Sequence, residues 1–405
     1  MCMEKPRIES CVMPIAGQNS TRNKYVNRVL VLNTLLRRGS LPRKELALLT
    51  RLTPATMTKI TAELITEGLV HEIGVVQGQD NKVGRKSISL DLIGHAYWVM
   101  GVHVRSDRLE LGLADLKGVI RAERTVLLRK GIQADDFLSF LTDEIREFMT
   151  AQKSRKVSAI GVGLVGLVSF CEGAILSAQH LGWRDVKVRA RLQEEFGIPV
   201  FVENNVQTMA LAEVLFSRSN ETPGLVCVYI GQGIGAGLVI RDQIYQGGLA
   251  GGEFGHMTYW PHGESCWCGN TGCLERYASE PVVLQDLGLS TIADLADLSQ
   301  SDPARVDAVL REAGERIGTV LASLLNMVYV PTVIIGGTLA NGKYPLVEQI
   351  RRVVNQQSFL ARMDPVVVMP SRFEERLGMV GAASLALVNT VFQMDGSTDR
   401  RTKEG

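Results

Sequence analysis

The chain has 405 residues, of which 45% are hydrophobic and 21% charged, which excludes a mostly disordered protein and leaves room for two or three domains. No apolar run reaches the roughly 20 residues of a membrane-spanning helix, and the N-terminus lacks the apolar core of a secretory signal, so we expect a cytoplasmic protein without a membrane partner. Residues 1–90 carry 14 basic and 7 acidic side chains, whereas the remainder is net acidic. A basic front favours a polyanionic partner, although an uneven scatter of solvated charges is the alternative.

The first 94 residues predict a flexible arm over 1–20 and a winged helix-turn-helix over 21–94. Helical spacing of apolar residues predicts helices over 22–36 and 42–50. A third helix begins at Thr53-Pro54, where threonine caps the helix and proline occupies its first turn. Segments 69–73 and 87–92 then predict a β-hairpin, the wing.

The third helix and the loop of the hairpin are the candidate DNA-binding surface. Met57, Ile60 and Leu64 form the buried stripe of the helix, so the opposite side would face a major groove, while the loop would reach a minor groove or the backbone. A small helical protein–protein module is the alternative. The candidate DNA contacts are Thr53, Ala55, Thr56, Thr58, Lys59, Lys82, Arg85 and Lys86.

Residues 95–395 predict a two-lobed α/β domain, and 396–405 a polar tail. Two half-repeats, each with strands followed by alternating helices and strands, favour a cleft between lobes, where ligands bind at strand ends. The first half predicts strands over 97–104, 109–115, 119–128, 159–168 and 200–203 and helices over 134–151, 186–196 and 205–216. The second predicts strands over 225–230, 237–240, 332–335 and 366–369 and helices over 303–328, 346–359 and 377–388.

Three cysteines and a histidine form the strongest local signal. His256, Cys266, Cys268 and Cys273 match the tetrahedral ligand set of structural zinc, and four protein ligands leave no position open for catalysis. The sequence therefore predicts one structural Zn²⁺ per chain, with a set of buried free thiols as the alternative.

Carboxylates and amides surround this cluster. Glu253 and Glu275 flank it, and Asn204-Asn205 ends a predicted strand. This mixture of donors and acceptors suits a polyhydroxylated ligand, although an asparagine can merely cap a helix and a glutamate can form a surface ion pair. The glycine-rich segment 231–237 could cradle phosphate or serve only close backbone packing.

These motifs resemble the zinc and sugar signature of the ROK family, which comprises bacterial sugar kinases and sugar-responsive repressors. The match consists of Glu253-x-Gly-His256, Cys266-x-Cys268-Gly-x-x-Gly-Cys273-x-Glu275, the glycine-rich segment 231–252, Gly182-Trp183, 197–200 and 335–338. The winged helix is similar to that of the repressor branch. The resemblance implies an actin/hexokinase-like fold of two RNase H-like repeats, one zinc, and a sugar or sugar phosphate as effector. The residues implied to hold the effector are Gly166, Asn204, Asn205, Glu253, His256 and Glu275, with His256 also on the metal.

Three positions depart from the kinase pattern. Where the kinases carry an acid and a phosphate loop, this chain has Gly101-Val-His103-Val-Arg-Ser-Asp107, and where they carry a catalytic aspartate it has Asn205. An amide cannot take a proton from a sugar hydroxyl, and loss of a general base typically costs about a hundred- to ten-thousand-fold in rate. No proline precedes Gly166 in Leu164-Val165-Gly166, which alters the expected pocket shape. We therefore expect no enzyme activity and no catalytic residues.

The resulting prediction is a sugar-responsive DNA-binding regulator that represses genes of carbohydrate uptake or catabolism. A homodimer, or else a tetramer, would bind an inverted-repeat operator in double-stranded DNA, because two-fold protein symmetry matches two half-sites. Two alternatives stay open: a sugar kinase with an appended regulatory domain, and a repressor controlled by a protein partner.

Overall fold

The computed structural model describes residues 20–75, 88–217, 224–240, 243–245 and 252–392. Its α-helices are α1 Ser20–Arg38, α2 Arg43–Thr50, α3 Pro54–Thr66, α4 Ala134–Ala151, α5 Val188–Phe196, α6 Asn205–Leu215, α7 Glu275–Ala278, α8 Glu280–Asp286, α9 Asp294–Ser301, α10 Pro303–Met327, α11 Leu346–Gln357 and α12 Leu377–Thr390. Its strands are β1 Leu41–Pro42, β2 Val70–Val75, β3 Ile88–Leu92, β4 Trp98–Val104, β5 Arg108–Asp115, β6 Ile120–Leu127, β7 Val157–Leu164, β8 Leu167–Ser169, β9 Ala174–Ala178, β10 Trp183–Val186, β11 Val200–Asn204, β12 Gly224–Ile230, β13 Ile234–Ile240, β14 Gln243–Ile244, β15 Thr332–Gly336 and β16 Val367–Pro370. The predicted arm up to residue 19, the polar tail and Lys82, Arg85 and Lys86 lie outside the described residues.

The N-terminal module contains the predicted three helices and hairpin. Helix α3 begins where the sequence places it, because the Thr53 hydroxyl accepts a hydrogen bond from the Thr56 amide (3.3 Å) and Pro54 occupies the first turn. Its inward residues Met57, Ile60 and Leu64 are at most 3% exposed. Strands β2 and β3 pair antiparallel, and the two-residue strand β1, which the sequence analysis did not predict, pairs with the other edge of β3.

Two five-stranded sheets repeat one topology. The first has the order β11-β7-β4-β5-β6 and the second β14-β13-β12-β15-β16. In each sheet the first three strands of the repeat pair antiparallel. The fourth strand then pairs parallel to the first, and the fifth pairs parallel to the fourth at the edge of the sheet. The predicted half-repeats are therefore present as two lobes of the same construction.

Helices α6 and α12 lie between the two sheets and pack on each other. All residues of α6 and those of α12 from Leu377 to Leu387 are buried. The backbones approach closely because glycines stand at the contacts: a Cβ on Gly161 of β7 would lie 1.8 Å from the Ala382 carbonyl oxygen. A Cβ on Gly381 would lie 2.8 Å from the Met209 amide. Small residues thus hold the lobes at short distance.

Two predictions about the first lobe are wrong in detail. The single strand predicted over 159–168 is two strands, because the chain turns at Gly166, which has a φ of +86°. Strand β7 stays in the large sheet, whereas β8 joins β9 and β10 in a separate antiparallel sheet. Strands β9 and β10 were not predicted, and the helix predicted from residue 186 begins only at Val188, after β10.

The apolar core continues from the N-terminal module into the two-lobed body. Each lobe has its own buried cluster. A third cluster contains Val31 and Leu35 of α1, Leu64 of α3, Val99 of β4 and Leu387 of α12. The DNA-binding candidate module is thus packed against the body through one continuous core. Among the described helices, none is both long and apolar enough to span a bilayer.

Candidate functional site

A cavity of about 590 Å³ opens between the lobes. Its wall comes from the carboxyl ends of β4, β7 and β11 in the first lobe and from the β12–β13 turn and the Cys/His segment in the second. This is the edge at which ligands bind in open α/β sheets. All six predicted effector contacts line it: Gly166, Asn204, Asn205, Glu253, His256 and Glu275.

Asn204 has a structural role at the cavity wall. Its side-chain oxygen caps α6, accepting hydrogen bonds from the amides of Val206 (2.9 Å) and Gln207 (3.4 Å). Its side-chain nitrogen donates to the Gly166 carbonyl at 3.0 Å. The capping alternative raised from the sequence is therefore present, and it fixes Asn204 and Gly166 as neighbours on the wall.

Asn205 ends a buried chain of polar groups. Its amide nitrogen lies 3.5 Å from His103 Nε2, and His103 Nδ1 lies 2.8 Å from a carboxylate oxygen of Glu110. Burial would raise the pKa of Glu110, but the hydrogen bond from His103 and the charge of Arg105 outweigh it and lower that pKa to about 2. The two positions that depart from the kinase pattern, His103 and Asn205, are thus partners in one hydrogen-bonded array.

Arg105 joins the two lobes across the cavity. Its guanidinium is 8% exposed and donates a hydrogen bond to the Tyr229 hydroxyl of the second lobe at 3.1 Å. Burial would lower the pKa of Arg105, but Tyr229 and nearby carboxylates raise it above its ordinary value. Neither residue was predicted, because 124 positions separate them and no short motif contains both.

The metal-ligand candidates form a compact group. The ligand atoms of His256, Cys266, Cys268 and Cys273 all lie within 4.8 Å of one another. His256 Nδ1 is 3.6 Å from the Cys266 sulfur, and the sulfurs of Cys268 and Cys273 are 3.7 Å apart. Tetrahedral zinc, with bonds of about 2.0 Å to nitrogen and 2.3 Å to sulfur, separates such atoms by about 3.6–3.8 Å. The donor set and its spacing fit zinc.

His256 and Glu253 lie where the metal cluster meets the cavity. With Nδ1 of His256 directed to the thiols, its Nε2 lies 3.8 Å from a Glu253 carboxylate oxygen. Burial raises the pKa of Glu253, Glu275 adds to this effect, and His256 opposes it. The imidazole can therefore serve the metal through one nitrogen and a ligand through the other.

Glu275 connects the Cys/His segment to the glycine-rich turn. One carboxylate oxygen accepts from the Ile234 amide (3.0 Å) and the other from Nε1 of Trp267 (2.8 Å). A Cβ on Gly233 would lie 2.4 Å from this carboxylate, so a side chain there would displace Glu275 from its present position. Trp267 also lines the cavity and was not predicted, although its position between Cys266 and Cys268 was a usable signal.

Two other glycines of the segment, Gly235 and Gly237, belong to strand β13. A Cβ on Gly235 would lie 2.7 Å from a Val206 methyl group, and one on Gly237 would lie 2.5 Å from the Val206 carbonyl oxygen. These two glycines therefore allow α6 to approach the sheet, which is the packing alternative that the sequence left open.

The candidate nucleic-acid interface lies on α3, in the N-terminal module. Thr53, Ala55, Thr58 and Lys59 are exposed, and Thr56 is half-buried with its hydroxyl 2.9 Å from that of Thr53. The Thr58 hydroxyl donates to the Pro54 carbonyl at 2.9 Å. The predicted outward face is thus solvent-accessible near the start of the helix.

Comparison with known proteins gives one family over most of the chain. The family model described as the ROK family matches residues 99–389. A relative named xylose repressor, from Caldicellulosiruptor bescii, is 27% identical over 390 residues, covering 91% of this chain and 97% of its own.

Two solved structures cover the same fold. A ROK family transcriptional regulator, described as a homologue of the Escherichia coli MLC protein, aligns with a TM-score of 0.74 and 27% identity over 90% of this chain and 96% of its own. A ROK family glucokinase from Streptomyces griseus, in complex with glucose and AMPPNP, aligns with a TM-score of 0.64 and 24% identity over 71% of this chain and 99% of its own. The glucokinase shares the fold of the body, whereas the regulator also spans the N-terminal part of the chain.

Proposed function

The chain belongs to the ROK family, and from this premise we propose that it is a sugar-responsive, DNA-binding transcriptional repressor of genes for carbohydrate uptake or catabolism. One observation carries the proposal: a single chain combines an exposed α3 face with a cavity of about 590 Å³ between two lobes, in whose wall carboxylates, amides and an imidazole lie. The name of the xylose repressor relative and the repressor-like structural match support the same function. Such a regulator acts in the cytoplasm, where it meets its operator.

On the DNA side, the outward residues of α3 would enter a major groove. Thr53, Ala55, Thr56, Thr58 and Lys59 offer hydroxyl, methyl and ammonium groups to base edges and phosphates. Lys82, Arg85 and Lys86 of the hairpin loop would reach the flanking backbone or minor groove. We propose a homodimer, with a tetramer as the alternative, because two modules related by a two-fold axis bind an inverted repeat.

On the effector side, the cavity would hold a sugar or sugar phosphate. Asn204, Asn205, Glu253, His256 and Glu275 supply donors and acceptors in fixed positions, and Gly166 lets the wall approach the ligand. Zn²⁺ on His256, Cys266, Cys268 and Cys273 would hold the segment that carries these carboxylates and would supply no catalytic chemistry.

We propose further that the kinase activity of this fold is lost. Asn205 stands at the position of the general base. Its side chain is an amide instead of a carboxylate, and this amide lies next to His103. His103 lies near the end of β4 and Arg105 follows that strand, where a phosphate loop would lie. His103 contacts the Glu110 carboxylate, whereas Arg105 pairs with Asp107 and donates a hydrogen bond to the Tyr229 hydroxyl. Phosphoryl transfer to a sugar hydroxyl depends on an accessible base, and this array supplies none, because position 205 carries an amide and the carboxylate of Glu110 is buried.

The test begins with selection of DNA duplexes from a random pool by the full-length chain. We expect an inverted repeat, bound with an affinity that falls when D-xylose, D-glucose, N-acetyl-D-glucosamine or a 6-phosphate of the latter two is added. Lys59→Ala should weaken operator binding by about tenfold, since one good base or phosphate contact contributes on the order of 1–3 kcal/mol. Exposed Lys153 of the body gives the matched control, Lys153→Ala.

Each alternative function has its own outcome in this experiment. Glu253→Gln should abolish the sugar response while operator binding remains. Specific binding without a response to any of these sugars would favour control by a protein partner. Steady ATP turnover with one of the sugars in a coupled assay would contradict the loss of kinase activity, and absence of a selected site would contradict the repressor itself.

A further inference from the structure

Trp267 is an exposed tryptophan in the wall of the cavity. Its side chain is 48% exposed, although it stands between two cysteines of a compact metal cluster. An exposed indole in the wall of a cavity offers an apolar face that a bound ligand can cover. Its place in the cavity wall indicates that the covering group is the ligand.

The indole is held rigidly on its other sides. Its Nε1 donates to Glu275 at 2.8 Å, so the one polar atom of the ring is already satisfied. The ring packs edge-to-face on His256, with centroids 4.7 Å apart and an interplanar angle of 83°. His180 contacts it in a tilted geometry at 5.7 Å. The backbone around it is closed by hydrogen bonds from the Cys266 amide to the Asn270 carbonyl (2.8 Å) and from the Gly269 amide to the Cys266 carbonyl (3.0 Å).

Glu275 therefore acts as a positioning residue for the indole. Its two oxygens join the Trp267 ring to the Ile234 amide of the glycine-rich turn, which belongs to a different part of the wall. A carboxylate has about four lone-pair directions, so Glu275 can still accept from a sugar hydroxyl. The same carboxylate thus orients an apolar surface and a polar contact toward one ligand.

A pyranose presents two kinds of surface to such a site. Its hydroxyl groups form a polar rim, which Asn204, Glu253 and His256 can bind. Its C–H groups form an apolar face when the hydroxyls are equatorial, and aromatic rings bind apolar faces through burial of surface and contact with the π-system. If Trp267 covers the apolar C–H face of the sugar, that face needs no polar partner from the described wall.

We propose that Trp267 is the aromatic platform of the effector site, and that the effector is a pyranose with equatorial hydroxyls whose C–H face packs on the indole. This inference rests on the proposed function, because it assigns a specificity-determining residue to the same cavity. It also links the Cys/His group to sugar recognition, because a metal bound there would hold the backbone that carries Trp267.

The test compares full-length, zinc-loaded wild type with Trp267→Ala and Trp267→Phe. Sugar binding is measured by calorimetry with D-xylose, D-glucose and N-acetyl-D-glucosamine, and with D-galactose and D-mannose, which carry one axial hydroxyl each. We expect Trp267→Ala to weaken binding of the equatorial sugars about tenfold or more and Trp267→Phe to weaken it only a few-fold. The axial epimers should bind wild type more weakly.

The controls separate a platform from a merely structural residue. Zinc content and operator binding without sugar should stay unchanged in Trp267→Phe, and Trp260→Phe, at a 57% exposed position outside the cavity wall, should bind sugar as wild type does. In a Trp260→Phe background the sugar should shift the intrinsic fluorescence, and Trp267→Phe should remove that shift. Undiminished sugar affinity in Trp267→Ala, or no fluorescence shift on saturation, would overturn the platform alone. If no sugar binds wild type, the proposed function fails with it.

Discussion

Glu110 is the charged end of the buried chain that continues through His103 to Asn205. Its carboxylate is 8% exposed and also accepts from Arg108 Nε at 3.0 Å. The pKa of about 2 lies well below the value of 4.5 that the group has when unpaired. A carboxylate whose pKa is lowered in the folded state stabilises that state wherever it is ionised.

We expect Glu110→Gln to lower the free energy of unfolding by on the order of 3 kcal/mol at neutral pH. This contribution is complete above pH 4.5 and is lost as the pH falls toward 2, so the difference from wild type should shrink in acid. Urea unfolding between pH 3 and 8 measures it. Glu147→Gln, at an exposed position paired with Arg124, is the control with little effect. A difference that grows in acid would contradict the assignment.

Residues with partners nearby in the sequence were predictable, whereas those with distant partners were not. The spacing of Cys266, Cys268 and Cys273 predicted the compact Cys/His group that the structure contains, and Thr53 predicted the start of α3. The pairing of Arg105 with Tyr229 depends on how the two lobes meet, which no local pattern encodes. Asn204 was recognised as a site residue, but its hydrogen bond to Gly166 needed the fold.

At the scale of elements, the segment from His256 to Glu275 has little regular structure of its own. Its turns are closed by bonds such as Cys266 N to the Asn270 carbonyl (2.8 Å) and by two isolated β-bridges. A Cβ on Gly272 would lie 1.7 Å from the Trp260 carbonyl oxygen, so this tight path requires glycine. A segment with few buried apolar contacts depends on its cross-links for order.

We therefore expect Cys273→Ser to lose the metal and to weaken sugar binding by at least about tenfold, because structural zinc contributes directly to folding of its segment. Operator binding without sugar should persist, since α3 belongs to a different part of the core. Cys227→Ala changes a buried cysteine outside the cluster and should keep one zinc per chain. Metal analysis measures the zinc content, and calorimetry measures the affinity for sugar. Unaltered sugar affinity in metal-free Cys273→Ser would refute the dependence of sugar binding on the metal.

Helices were predicted more closely than strands. Helix α4 has the predicted bounds, Ala134–Ala151, because its apolar face repeats over five turns. The split between β7 and β8 was missed, since apolar residues continue across Gly166 and the change of sheet is decided by pairing with β9. Strand β10 has only four residues, and the alternation of apolar and polar residues cannot be recognised over so short a segment.

At the scale of the whole molecule, the third apolar cluster joins what the sequence analysis divided at residue 94. Val31 and Leu35 of α1, Val99 of β4 and Leu387 of α12 share it, and each is at most 1% exposed. The change from a helical to a strand-rich pattern near residue 94 predicted a domain boundary there. Periodicity, however, shows only which side of a helix is apolar. It does not show that α1 contributes to a buried cluster that extends into the body.

We expect α1 and α12 to unfold together. Leu387→Ala removes a buried side chain from the shared cluster and should lower stability by about 3 kcal/mol. Hydrogen exchange of amides in α1 should then accelerate as much as that in α12. Val283→Ala, in the separate core of the second lobe, should leave α1 unaffected under conditions of local opening. Unchanged exchange in α1 of the Leu387 variant would show that the module opens independently.

The shared cluster also sets a rule for building chimeras from relatives of this protein. A fusion made at Gly94 would place one parent's α1 and another parent's α12 in the same buried cluster, whose side chains would then come from two different cores. Operator specificity should instead be transferred by grafting only the outward positions of α3, or by exchanging α1 together with the last two turns of α12 and Phe392 as one unit.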